Sequence, residues 1–222
     1  MIIGLLNQKG GVGKTTLSVN MAHCFSKSYL KPEKQFNVLV VDADPQQSVL
    51  QWSAFRDENN NLPFRVMGLP TKYINRDLPA IAADYDFVII DGPPRSNEIA
   101  ISCIKACDVV LIPCTPSPYD IWSSSETIRI VEERMSINPN MKAFISINRR
   151  IINTAIDRDA TAALADFVIP TLKNKVSQRV VFAESAAAGL TVFDVDPNGI
   201  ASKEIISLCK ELMEEIDYEF KG

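Results

Sequence analysis

The chain has 222 residues, 46% of them hydrophobic and 23% charged, and a formal net charge of −4. These are ordinary globular proportions. They exclude a low-complexity or collagen-like chain, and the absence of any run of roughly 18 apolar residues excludes a membrane-spanning helix. The acidic balance excludes a surface that is basic all over and leaves a local basic patch open.

Ile2-Ile3-Gly4-Leu5-Leu6 reads as a short buried strand, with no cationic leader ahead of it. It runs into Lys9-Gly10-Gly11-Val12-Gly13-Lys14-Thr15-Thr16, and Leu17, Met21 and Phe25 then recur at helical spacing. A strand, a glycine loop and a helix in that order place a polyphosphate at a helix N-terminus. Backbone N–H groups cradle the anion there, Lys14 adds a point charge, and the Thr15 hydroxyl is placed for Mg²⁺. The common phosphate-loop pattern asks for glycine five positions before Gly13, where this chain has Gln8.

Residues 31 to 36 read as a solvated loop leading to a strand over Asn37 to Val41. Asp42 and Asp44 follow, one residue apart, so strand alternation predicts that both side chains point the same way. Like charges that close need a metal, a lysine or water, and the Asp-Pro that follows is also common turn chemistry. A second loop is expected over Asn59 to Pro63, and strands over Phe64 to Gly68 and Phe87 to Ile90. The latter ends on Asp91-Gly92-Pro93-Pro94, an apolar strand closed by a carboxylate suited to hydrated Mg²⁺.

Val109 to Ile112 is the next strand, and Ile121, Ser125, Ile128, Val131 and Met135 predict one packed helix face. Ala143 to Ile147 precedes Asn148 and Arg149, and Ile205, Leu208, Cys209, Leu212 and Ile216 predict a C-terminal packing stripe. The alternation predicts one α/β domain over residues 1 to 222, with three layers and a mostly parallel central sheet flanked by helices on both faces. Functional groups should gather at the strands' carboxyl ends. Cys24, Cys103, Cys107, Cys114 and Cys209 lack C-x-x-C spacing and should be reduced and buried. Cys103 and Cys107 stand at i and i+4, suited to a helix core face or to a metal cluster.

K-G-G-x-G-K-T-T resembles the deviant Walker A box of the ParA/MinD group of P-loop ATPases. The resemblance implies that Lys9 is a signature lysine reaching the nucleotide of a partner subunit, hence an ATP-dependent homodimer. It implies further that Lys9, Lys14 and Asp44 form the catalytic set of a slow, Mg²⁺-dependent ATPase. ATP would lie against Lys9, Gly10, Gly11, Val12, Gly13, Lys14, Thr15 and Thr16, with Mg²⁺ organised by Thr15, Asp42 and Asp91. Asn148 follows a strand where relatives place an asparagine near adenine; a loop cap is its other reading. No N-K-x-D guanine motif is present.

Leu6-Asn7-Gln8-Lys9, Asp44-Pro45-Gln46-Gln47-Ser48 with Trp52, Asp84-Tyr85-Asp86-Phe87 and Pro113-Cys114-Thr115-Pro116-Ser117-Pro118-Tyr119-Asp120 look like the small plasmid-partition ATPases typified by ParF. In that branch the proline-rich segment lies near subunit contacts, so Pro113, Pro116 and Pro118 are candidate interface residues or simply stiffen a loop. The likeness implies no N-terminal DNA-binding domain and a ParB/ParG-like centromere-binding partner. It also implies nonspecific DNA binding, for which Arg149, Arg150, Lys173, Lys175, Arg179 and Lys203 are candidate contacts or simply scattered solvated charge, and a cytoplasmic, nucleoid-associated protein without a membrane partner. A positioning ATPase for a protein cargo, a VirC-like transfer factor, and an ATP-dependent ligase such as dethiobiotin synthetase are the alternatives. Lys9 argues against the last.

Overall fold

The computed structural model describes residues 1–31, 33–56, 61–95, 98–152, 154, 162–164 and 166–218. Pro32, in the first expected loop, and Asn59 and Asn60, in the second, lie outside them. Six strands form one sheet: β1 (Ile2–Leu5), β2 (Val38–Asp42), β3 (Arg65–Gly68), β4 (Phe87–Asp91), β5 (Val109–Cys114) and β6 (Lys142–Ile147). Their order is β3-β2-β4-β1-β5-β6, and every pairing is parallel. Each strand matches a hydrophobic run expected from sequence, its ends shifted by no more than two residues.

Helices α1 (Lys14–Ser26), α2 (Ser48–Ala54), α3 (Ile74–Ala82), α4 (Glu98–Ala106) and α5 (Pro118–Ile137) connect the strands. After β6 come α6 (Val180–Ala187), α7 (Val192–Val195) and α8 (Ile200–Glu215). Strand alternation divides the core in two. Ile3, Leu5, Val38, Val40, Phe87 and Ile89 pack with α1, α2, α7 and α8. Ile2, Leu39, Val41, Val88, Ile90 and Ile112 pack with α3, α4 and α5 on the other face. Strands buried on both sides are apolar at nearly every position, which is why the runs were legible. The edge strand β3 is only partly buried.

On α5 the packed face is Ile121, Ser124, Thr127, Ile128 and Val131. Ser125, expected on it, is exposed, because the i, i+3, i+7 spacing from Ile121 selects Ser124 instead. The α8 stripe Ile205, Leu208, Cys209 and Leu212 is fully buried. All five cysteines are buried and free. Among the described residues no group of His, Cys, Asp and Glu could hold a metal cluster, and no helix is long and apolar enough to cross a membrane.

Candidate functional site

The order of the strands brings the carboxyl ends of β1, β2 and β4 together, and the glycine loop leaves β1 there. Asn7 anchors its entry. The buried Asn7 amide donates to the Pro113 carbonyl at 2.9 Å and to Ser124 Oγ at 2.8 Å, while its Oδ1 accepts the Lys9 N–H at 2.9 Å. Gly11 and Gly13 have φ of +79° and +92°, a conformation that needs glycine. Gly13 is the N-cap of α1 and no side chain caps it, so the helix presents free N–H groups to the space ahead.

Lys14 is buried, and its Nζ donates to the carbonyls of Asn7 at 3.0 Å and Lys9 at 3.3 Å. Burial lowers its pKa, while Asp91 and Asp44 act to keep it charged. Thr15 Oγ1 donates to Asp91 Oδ2 at 2.7 Å and Ser18 Oγ to Asp91 Oδ1 at 3.2 Å. A hydroxyl and a carboxylate this close are an oxygen donor set that fits Mg²⁺. Burial pushes the Asp91 carboxyl up to about 7, with the Thr15 bond opposing and Asp42 adding to the shift. Ser18, one helical turn beyond Thr15, was readable from its i+3 spacing but was not among the expected residues.

Asp42 and Asp44 differ in setting, the first buried at the end of β2 and the second on the turn that follows. β2 ends at Asp42, and the chain then turns through Asp44 to Gln47, whose φ is +54°. Asp42 is fully buried and pairs in register with Asp91. Its Oδ2 accepts the N–H groups of Val49 at 2.8 Å and Leu50 at 3.2 Å, and its Oδ1 that of Asp44 at 3.2 Å. Asp42 therefore caps the first turn of α2 from the neighbouring strand. Burial raises its pKa against those three bonds. Asp44 lines the cleft in front of the glycine loop.

That cleft has a volume of about 1040 Å³. Gly10, Gly11, Gly13, Lys14, Thr15, Thr16 and Asp44 line it from the loop and the β2 turn, while Ile151, Ile152, Val180 and Phe182 add apolar surface from the chain after β6, beside Arg149, Arg150 and Arg179. The size and division suit a nucleotide, with phosphates on the loop and an apolar wall for the base. Asn148 lines the cleft and braces it: its Nδ2 donates to the Val12 carbonyl at 2.7 Å, and a Cβ on Gly13 would collide with it.

Of the six basic residues expected on DNA, three line this cleft instead of an outer face. Arg149, with φ of +56°, donates from Nη1 to the Gly11 carbonyl at 2.8 Å. Arg150 also lines it, and its buried Nε has no hydrogen-bond partner among the described residues. Arg179 grips Glu204 with two hydrogen bonds. Lys173, Lys175 and Lys203 lie outside the cleft, in the strand-like loop before α6 and on α8. Of the three prolines, Pro113 and Pro116 are buried, which removes them from any surface, and only Pro118 is exposed. Tyr119 and Trp122 beside it are 77% and 66% exposed.

Beyond Asp91, Pro93 and Pro94 have no N–H. The Gly92 N–H bonds to the Leu5 carbonyl at 3.1 Å, and the Arg95 N–H to the Gln8 carbonyl at 2.9 Å, with Arg95 at φ +77°. Lys9 stands at the front of the loop, its ammonium 3.2 Å from Asp120 Oδ1 on α5. Asp120 closes the proline-rich element and Arg149 and Arg150 were read as DNA contacts, but their places beside Lys9 and in the cleft wall, like that of α6, come from tertiary placement.

A family model described as an AAA domain matches residues 1–67 and 55–143. Maintenance of carboxysome distribution protein A of Halothiobacillus neapolitanus is 30% identical over 214 residues, covering 95% of each chain. Chromosome partitioning protein ParA of Myxococcus xanthus is 25% identical, covering 96% of this chain and 87% of its own. The septum site-determining protein MinD of Pyrococcus horikoshii, solved with Mg-ADP, superposes with a TM-score of 0.77 over 99% of both chains at 17% identity. The loop with its leading lysine, the carboxylates of β2 and β4 and these relatives agree: the chain belongs to the ParA/MinD-type P-loop ATPases.

Proposed function

We propose that this protein is a DNA-partition ATPase in which ATP and Mg²⁺ switch a monomer into a DNA-holding dimer. The observation that carries the reading is the pairing of a buried Lys14 on the loop with an accessible Lys9 at its edge. One lysine would serve the chain's own phosphates, and the other, at the loop's outer edge, would serve a second subunit. Thr15 and Asp91 would hold Mg²⁺, whose charge offsets that of the phosphates. Asp44 would orient the attacking water, and Lys14 and Lys9 would neutralise charge developing on the transferred group. Phosphoryl transfer asks little else of the protein, so hydrolysis is slow until a second protein completes or tightens the site.

DNA would be held on the nucleoid by phosphate contacts, with Lys173, Lys175 and Lys203 as the candidates outside the cleft and a ParB/ParG-like protein stimulating turnover. Pro118 would belong to the subunit contact. The sharpest test is retention on nonspecific DNA with ATP at increasing salt. Wild type should be retained with ATP and released with ADP, and Lys14→Ala should not be retained. Equal retention with ATP and ADP would refute the switch.

A second reading keeps the switch and exchanges the cargo for a protein assembly. The 30% identical relative named for carboxysome distribution favours it. Which protein stimulates turnover separates the two: a DNA-bound adaptor supports partition, and an adaptor bound to a protein assembly supports positioning.

A further inference from the structure

The apolar wall of the cleft is lightly attached. Val180, Phe182, Ala183 and Ala186 of α6 line the cleft, yet Ser185 is that helix's one buried residue. Val181 and Phe182 are partly buried against the core, and polar contacts fasten the helix at its ends. Ahead of it, Arg179 and Ser177 bind the Glu204 carboxylate of α8. Behind it, the chain turns through Gly189, φ +66°, directly against the end of α2. A Cβ at Gly189 would come within 2.5 Å of the Arg56 nitrogen and 2.9 Å of the Trp52 carbonyl oxygen, so the two backbones are in contact.

Side-chain bonds from Trp52 and Arg56 lock that corner. Trp52 Nε1 donates to the Leu190 carbonyl at 3.3 Å, and Arg56 Nη1 to the Gly189 carbonyl at 3.1 Å. The Arg56 guanidinium also grips Asp194 in a two-point ion pair, at 2.8 and 3.1 Å, with the arginine side chain only 4% exposed. Asp194 in turn caps α7 through Thr191, whose hydroxyl lies 2.7 Å from His23 Nδ1 on α1. Helix α2 starts immediately after the Asp44 turn and is capped by Asp42. A continuous path of backbone and buried polar contacts thus joins the phosphate end of the cleft to its far wall.

We propose that Arg56 and Asp194 are positioning residues for the nucleotide. Their ion pair fixes the corner at Gly189 to the end of α2, and so fixes where α6 stands opposite the glycine loop. The pair acts on the nucleoside half of the ligand, because the phosphate half is held by residues 10 to 16, which it does not touch. Planar two-point geometry is what an arginine supplies and a lysine does not. The inference rests on the cleft being a nucleotide site.

Titration calorimetry on the full chain with ADP and with inorganic tripolyphosphate separates the two claims. Arg56→Met and Asp194→Asn should each weaken ADP by about tenfold, as expected when a supporting shell loosens, and leave tripolyphosphate within about twofold. The double variant should be no weaker for ADP than the worse single. Arg56→Lys should fall between wild type and Arg56→Met, and serves in place of the latter if that variant does not fold. Unchanged ADP affinity, or equal loss for both ligands, would overturn the proposal. Wild type that ignores ADP would instead overturn the nucleotide reading. In the unaltered protein, ADP should slow amide exchange in residues 181–187 and in residues 189–194 together; protection of the first group alone also counts against the inference.

Discussion

Lys9 forms an ion pair with Asp120 within its own subunit, Nζ to Oδ1 at 3.2 Å, and the other Asp120 oxygen accepts the Thr115 hydroxyl. The lysine expected to reach a second subunit is therefore engaged at home. With side chains 44% and 22% exposed the pair is a weak restraint, worth less than about 1 kcal/mol. Asp120→Asn should thus tighten ATP-dependent dimerisation by no more than about fivefold, while Lys9→Ala should abolish it. Sedimentation of each variant with ATP and with ADP by analytical ultracentrifugation reads both effects, and a dimer that forms without Lys9 would remove this residue from the switch.

Asn148 braces the glycine loop through Val12. Asn148→Ala should cost about 1–3 kcal/mol of stability, since it strands a buried carbonyl, and should weaken ADP binding as the loop loosens. Urea unfolding and calorimetry on the same sample check the two together.

His23 gives a pH dependence with a definite sign. It is buried, stacked on Phe193, and burial pulls its pKa down to about 4, against the attraction of Asp194. Unfolded, it titrates near 6.5. Between those values the unfolded chain binds a proton that the folded chain refuses, so this contribution is intact above about pH 6.5 and is lost progressively toward pH 4. The loss at pH 5 relative to pH 7.5 is roughly 2 kcal/mol. It should be missing from His23→Gln, as measured by urea unfolding at the two pH values.

Lys173 and Lys203 are exposed and outside the cleft. If both meet DNA phosphates, replacing them with alanine should reduce the slope of log affinity against log salt by about 1.8, at roughly 0.9 per contact, without changing basal ATP turnover. An unchanged slope would move the DNA contact elsewhere.

The sheet was legible because parallel strands covered on both faces are apolar throughout, so β2, β4, β5 and β6 announced themselves. The phosphate loop was legible for a different reason: Gly11, Gly13, Lys14 and Thr15 are each required by local geometry, and their spacing is short. What escaped is what tertiary structure creates. Strand order, not sequence, puts Asp42 beside Asp91, and the turn after β2 leaves Asp44 lining the cleft while Asp42 stays buried. That Arg149, Arg150 and Arg179 line the cleft was not legible, because nothing local shows that the chain after β6 folds back toward the loop.

Pro93 and Pro94 have a consequence for how motion here can be observed. From Gly92 to Arg95 only Gly92 and Arg95 themselves carry an exchangeable backbone hydrogen, and each is bonded to the segment running from β1 into the loop, at Leu5 and Gln8. The two prolines between them are invisible to amide spectroscopy. Whether this segment shifts with nucleotide is therefore written in two signals, and the Arg95 amide is the more telling, since it ties the far side of the turn to Gln8.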